Sequence, residues 1–153
     1  MPPPRAGSRS SGVTAAGAPE PGGPGVRYLT LAEVLGLARY ACLVQDQPVE
    51  VRAPGLLESA VHRPRARMFG VPAYTGLHEQ AAALLHGIAT NHPLVDGNKR
   101  TAWLAAATFL ALNGADPAAV DQDAAYDLVV AVASGVLAEV PVIADGLREL
   151  LAV

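Results

Sequence analysis

Asn91-His92-Pro93-Leu94-Val95-Asp96-Gly97-Asn98-Lys99-Arg100 is a polar stretch between two alanine- and leucine-rich segments, about 76–90 and 101–112, that carry almost no charge. Both flanks have the length and apolar content of helices, so the stretch reads as a loop that ends where the second helix begins. A helix start presents unpaired backbone N–H groups and the positive end of the macrodipole, which together favour an anion. Gly97, with no Cβ, lets that backbone come close to a ligand. Lys99 contributes a compact point charge and Arg100 a planar fork that matches paired phosphate oxygens. Asp96 is a hard oxygen ligand of the kind Mg²⁺ takes beside a nucleotide's phosphates. His92 is a side chain that exchanges protons near neutral pH. Groups for phosphate, metal and proton transfer thus fall within nine residues.

The run from His92 to Arg100 resembles the signature of the Fic/Doc family, H-P/x-F-x-D/E-G/A-N-G/K-R. With Lys99 at the variable position it is most similar to the Doc (death-on-curing) branch, the toxins of toxin–antitoxin modules. Leu56-Leu57-Glu58-Ser59-Ala60-Val61-His62-Arg63-Pro64-Arg65 and the continuation Thr101-Ala102 extend the resemblance, which covers roughly residues 27–150. It implies that His92 is the general base for a protein hydroxyl and Asp96 the Mg²⁺-associated carboxylate. It also implies that Gly97 supplies anion-hole backbone, Asn98 a bracing amide, and Lys99 and Arg100 the phosphate-binding cations. Leu94 stands where the family usually has phenylalanine, and leucine can serve as the same buried anchor.

For the reaction, the resemblance to the Doc branch implies a kinase. It would use ATP and Mg²⁺ to place the γ-phosphate on a threonine of elongation factor Tu and so stop translation in the cytoplasm. The residues themselves are compatible with transfer of either phosphorus, since an anion hole, two cations, Mg²⁺ and a base stabilise charge on whichever is in line. The AMP-transferring branch of the family has glycine at the place of Lys99 and a second arginine at the place of Trp103. An AMP-transferase acting on another protein and an inactive Fic-like binding module therefore stay as alternatives. The family's inhibitory helix carries S/T-x-x-x-E-G/N. Thr75-x-x-x-Glu79 fits its first half, Gln80 breaks it, and capping of the following helix is the role expected of this pair. No self-inhibition is expected, and a separate Phd-like antitoxin is implied as a partner.

Composition narrows the remaining classes. A chain of 153 residues with net charge −3 is long enough for one core and has no broad basic field, so direct nucleic-acid binding is not expected. Lone Cys42 excludes an internal disulfide and reads as a small buried apolar residue. No apolar run reaches the roughly 18 residues of a membrane span, so no membrane partner is expected. Lys99 is the only lysine, against ten arginines. Codon bias explains the scarcity but not the position of the survivor. His62, His78 and His86 lack metal-ligand spacing and read as surface or satisfied core residues.

In chain order, residues 1–25 are rich in Pro, Gly, Ser and Ala and are expected to be a disordered tail, with the Fic/Doc domain spanning 26–153. Thr30 and Glu33 form a capping box for a helix to about Ala41, with Leu31, Val34, Leu35 and Ala38 on one apolar face. Pro54 opens a short helix that stops before Pro64. Arg63 to Tyr74 reads as an extended or hairpin segment. The alternation Arg63, Arg65, Arg67 fits one solvated strand face, or a flap that aligns a partner's extended segment by strand pairing. Leu77, Ala81, Leu84, Leu85 and Ile88 mark the core face of the third helix. The fourth, about 98–112, is apolar nearly all round and is expected to be central. Asn113-Gly114 ends it; Asp121 or Asp123 caps a fifth helix ending at Gly135, and Pro141 opens a sixth reaching Leu150. The class predicted is all-α, a compact Fic-like bundle with one short flap hairpin.

Overall fold

Thr30 starts the first helix through the predicted reciprocal cap. In the computed structural model, which describes residues 25–153, the Glu33 N–H donates to the Thr30 hydroxyl at 3.1 Å and the Thr30 N–H donates to the Glu33 carboxylate at 2.8 Å. These bonds satisfy two donors that a helix start otherwise leaves unpaired. The Arg27 guanidinium, and next the Thr30 N–H, hold the Glu33 carboxyl down at about 2. Helix α1, Leu31–Val44, runs three residues past the expected end at Ala41. No Gly or Pro interrupts Cys42-Leu43-Val44, and the chain turns only at Asp46, with φ 57. Val34, Ala38, Ala41 and Cys42 are buried, so the apolar face lies partly to one side of the expected one. The expected disordered tail, 1–25, lies outside the described residues except for its last residue.

Helix α2, Pro54–His62, begins at its proline as expected. Arg63–Arg65 then forms a 3₁₀ turn, so the segment to Tyr74 is not extended from its start. The three arginines do not share a strand face, because each meets a different partner. Arg63 donates to the Tyr74 hydroxyl at 2.9 Å and to His86 Nδ1 at 2.8 Å. Arg65 lies over the Tyr28 ring at 4.7 Å. Only Arg67 is in a strand. Strands β1, Arg67–Met68, and β2, Val71–Pro72, pair antiparallel with Met68 opposite Val71. The two turn residues, Phe69 and Gly70, have φ of 53° and 79°, the pair of positive values that matches a hairpin's twist. Phe69 is 98% exposed.

Four more helices complete the fold among the described residues: α3 Leu77–Asn91, α4 Asn98–Leu112, α5 Gln122–Ala133 and α6 Val140–Leu150. Asn113 and Gly114, the latter at φ 116, end α4 as expected. The Asp121 carboxylate accepts from the N–H groups of Asp123 and Ala124 to cap α5, and Pro141 lies in the first turn of α6. The class is all-α with one two-residue-per-strand hairpin. The central helix, however, is α3 rather than α4. Helix α3 packs against α2, α4, α5 and α6 and buries nine of its residues, whereas α4 buries six. Alanine makes both helices apolar on every side, so hydropathy does not distinguish the enclosed one from its neighbour. Among the described residues no helix is long and apolar enough to cross a membrane.

His86, on α3, gives the fold a pH dependence. The Arg63 N–H donates to Nδ1, which requires the neutral ring. Burial first, and the Arg63 charge second, lower the His86 pKa below its ordinary 6.5. A lowered folded value means the unfolded chain binds the proton more readily, so stability is full above the unfolded value and is lost as pH falls through the folded one. The denaturation midpoint should therefore drop between neutral pH and about pH 5. His86→Gln, neutral throughout, should flatten that part of the profile; an unchanged slope would assign it to other groups.

Candidate active site

Helix α3 ends at His92, which takes a left-handed conformation, φ 49° and ψ 55°. That reversal turns the chain away from the core with the His92 side chain exposed. The next two residues return inward. Pro93 is buried and Leu94 is 1% exposed, so Leu94 is an apolar anchor for the loop, as a residue of its type at this place should be. The loop is also tied to the segment before α2. Val51 and Leu94 form an isolated antiparallel bridge. Arg52 and Ala53 N–H groups donate to the Pro93 carbonyl at 2.8 and 3.0 Å, and the Val95 N–H donates to the Glu50 carbonyl at 2.9 Å. The Arg52 guanidinium donates to the His92 carbonyl from Nε, at 3.2 Å, and from a terminal nitrogen.

Asn98 closes the loop from the other side. Its amide oxygen accepts from the Leu94 N–H and its NH₂ donates to the Leu94 carbonyl, both at 2.9 Å. One planar side chain thus satisfies both backbone groups of the buried anchor and draws residues 94 and 98 together. Gly97 lies between them at φ 84, a conformation that is costly with a Cβ. A Cβ there would also stand 3.3 Å from Cys42 Sγ. Cys42 is the small buried residue it was expected to be, 2% exposed beneath the loop.

The result is a helix start that no side chain caps, with Gly97 as the N-cap of α4. The Gly97 N–H is taken by the Asp96 carboxylate at 2.8 Å, but those of Asn98, Lys99 and Arg100 have no partner among the described residues. Lys99 and Arg100 are exposed and form no ion pair among the described residues; the two pairs found there involve Arg27 and Arg148. Three free donors, a dipole and two free cations therefore share one edge.

A cleft of about 460 Å³ opens on that edge. His92, Asp96, Gly97, Asn98, Lys99 and Arg100 all line it, so the structure brings every sequence-predicted site residue to one cavity. Its other walls hold Trp103 on α4 and residues the sequence reading did not place there: Gln45 after α1, and Gln122 and Tyr126 on α5. Trp103 was within reach of sequence, because i and i+3 from Arg100 share a helix face. The others arrive by tertiary packing; Arg52, forty positions before His92, reaches the loop in the same way without lining the cleft. Among the described residues no group of three His, Cys, Asp or Glu side chains could hold an ion, and His62, His78 and His86 do not meet. Glu79 does reach back to accept from the Thr75 N–H, at 3.3 Å, but Gly76 holds the cap position of α3.

A sequence model of the Fic/DOC family matches residues 28–110. Over 87 residues the chain is 56% identical to "Toxin Doc" of Mycolicibacterium smegmatis, an alignment covering 56% of this chain and 67% of that protein. The anchored loop, its bracing asparagine and the uncapped start of α4 all lie inside the span matched by the family, and on that ground the chain belongs to the Fic/DOC family.

Proposed function

We propose that the chain is a Doc-like toxin whose reaction is transfer of the γ-phosphate of ATP to a protein hydroxyl. The target that the Doc resemblance implies is a threonine of elongation factor Tu. The observation that carries the reading is the uncapped start of α4 opening into the cleft beside Lys99 and Arg100. Three N–H groups and two cations without partners among the described residues form a site whose match is a polyanion. Identity to a curated Doc toxin supports the toxin assignment, and family membership supports a transferase.

The residues fit both groups the reaction needs. Asp96 spends one carboxylate oxygen on the Gly97 N–H and keeps the other for a cation. One carboxylate is too few to hold Mg²⁺ alone, but Mg²⁺ commonly takes one or two carboxylates and completes its shell with phosphate and water. When bound there, the ion would neutralise charge on the transferring phosphate. The chain's own residues do the rest. Lys99, Arg100 and the α4 N–H groups hold the phosphates, and Asn98 keeps the loop in shape. His92 takes the proton of the incoming hydroxyl as its oxygen bonds to the γ-phosphorus. The bond to the β,γ-bridging oxygen breaks and ADP leaves. The hairpin, with a two-residue edge and exposed Met68, Phe69 and Val71, suits a flap that pairs with an extended target segment. A Phd-like antitoxin is the proposed partner, in the cytoplasm.

The test is to incubate the purified chain with Mg²⁺ and a bacterial extract, using ATP labelled at either the γ- or the α-phosphate. The expected result is γ label on a protein the size of elongation factor Tu, with Lys99→Gly weakening it through loss of one phosphate cation. Lys99 fills space that glycine leaves open, and Trp103 stands where AMP-transferring relatives carry a second arginine. Transfer of the α label would make the chain an AMP-transferase. Transfer of neither would make it a binding module.

A further inference from the structure

We infer that Arg52 is a positioning residue for His92; the inference rests on the reading of His92 as the base. Three non-glycine residues in the described chain have positive φ, and His92 is the one at the candidate active site. A left-handed conformation is disfavoured for a residue with a Cβ, so surrounding contacts must hold it. At His92 the contact is to its carbonyl. Both donors that reach this oxygen come from the Arg52 guanidinium, and no other group among the described residues donates to it.

The arrangement is local and one-directional. The Arg52 main-chain N–H binds the Pro93 carbonyl at 2.8 Å while its side chain binds the carbonyl just before, so one residue grips two successive peptide oxygens where the chain reverses. The guanidinium also places a cation at the C-terminal end of α3, where the helix dipole favours one. Arg52 does not line the cleft. It can act on the reaction only through the residue it holds. Its side chain is exposed, so water can replace its hydrogen bonds without leaving a buried group unpaired. The backbone bridge between Val51 and Leu94 does not need the guanidinium. Removing it should free residue 92 and spare the fold.

The experiment compares wild type, Arg52→Ala and Arg52→Lys in the full chain. Arg52→Ala should lower kcat by about 10- to 100-fold, the scale of a small misplacement of a catalytic group, with KM for ATP and the unfolding midpoint unchanged. Arg52→Lys, which keeps the charge and one donor, should recover most of the loss. In isotope-labelled protein the His92 Cα and Cβ chemical shifts should leave left-handed values in Arg52→Ala. Unchanged kcat with unchanged shifts overturns the inference. So does a loss that follows a lower unfolding midpoint or a higher KM for ATP, since that is a structural or binding role. Should wild type transfer no label, the reading of His92 as base fails. The chemical shifts then decide alone, movement supporting the positioning of residue 92 and constancy overturning it.

Discussion

His92→Ala should lower label transfer by about 10²–10⁴-fold, the range for loss of a general base, while the variant unfolds at the same denaturant concentration as the wild type. The two halves of that expectation have separate physical grounds. The His92 side chain is exposed and makes no hydrogen bond among the described residues; the contacts at this position go to its backbone carbonyl. Truncating it empties no core space and strands no buried partner. If left-handed backbone at residue 92 is held from outside by Arg52, alanine can keep it. Phosphate and metal contacts belong to Asp96, Gly97, Lys99 and Arg100, so nucleotide affinity should change little. Expression of the wild-type chain alone should arrest bacterial growth, and expression of the variant should not. Near-normal transfer by a folded His92→Ala protein would remove the base from the scheme. Anion-hole stabilisation would then have to account for the whole reaction.

What sequence made legible was local. The capping box at Thr30 and Glu33 is a three-residue relation, and it forms as written. The loop from Asn91 to Arg100 stands out because polar residues interrupt two apolar runs, and the same contrast places it at the start of α4 with its site residues on one cleft. The bracing role of Asn98 is implied by the family resemblance alone, and its amide does reach both backbone groups of Leu94. What sequence hid was tertiary. Arg63, Arg65 and Arg67 look alike in alternation, yet their partners are Tyr74 and His86, Tyr28, and the hairpin's own Gly70. Helices α3 and α4 are both alanine-rich, so only packing shows that α3 is enclosed. Arg52 carries no signal at all, since it lies in the α1–α2 connection, forty positions before the carbonyl it binds.

Leu94→Ala should have the largest effect on stability at the site, about 2–5 kcal/mol, as for other fully buried leucines cut to alanine. Leu94 is 1% exposed and part of the main hydrophobic core, whereas Val95 beside it is 59% exposed. Of these two neighbours, Leu94 is the one driven into the core. Losing it removes transfer energy and leaves a cavity that the neighbours, held by helices on several sides, fill only in part. Leu94→Met keeps the volume and should cost less than about 1.5 kcal/mol. The activity should follow the same order for a different reason. Both backbone groups of Leu94 are bound by Asn98 and its neighbours are bridged to Glu50 and Arg52, so an unanchored residue 94 loosens the start of α4 and the reversal at His92 together. Chemical denaturation of the three proteins, with label transfer measured well below each midpoint, separates these effects. If Leu94→Ala unfolds like the wild type, burial of residue 94 is not what holds the loop. In that case the hydrogen bonds of Asn98 and Arg52 must carry it alone.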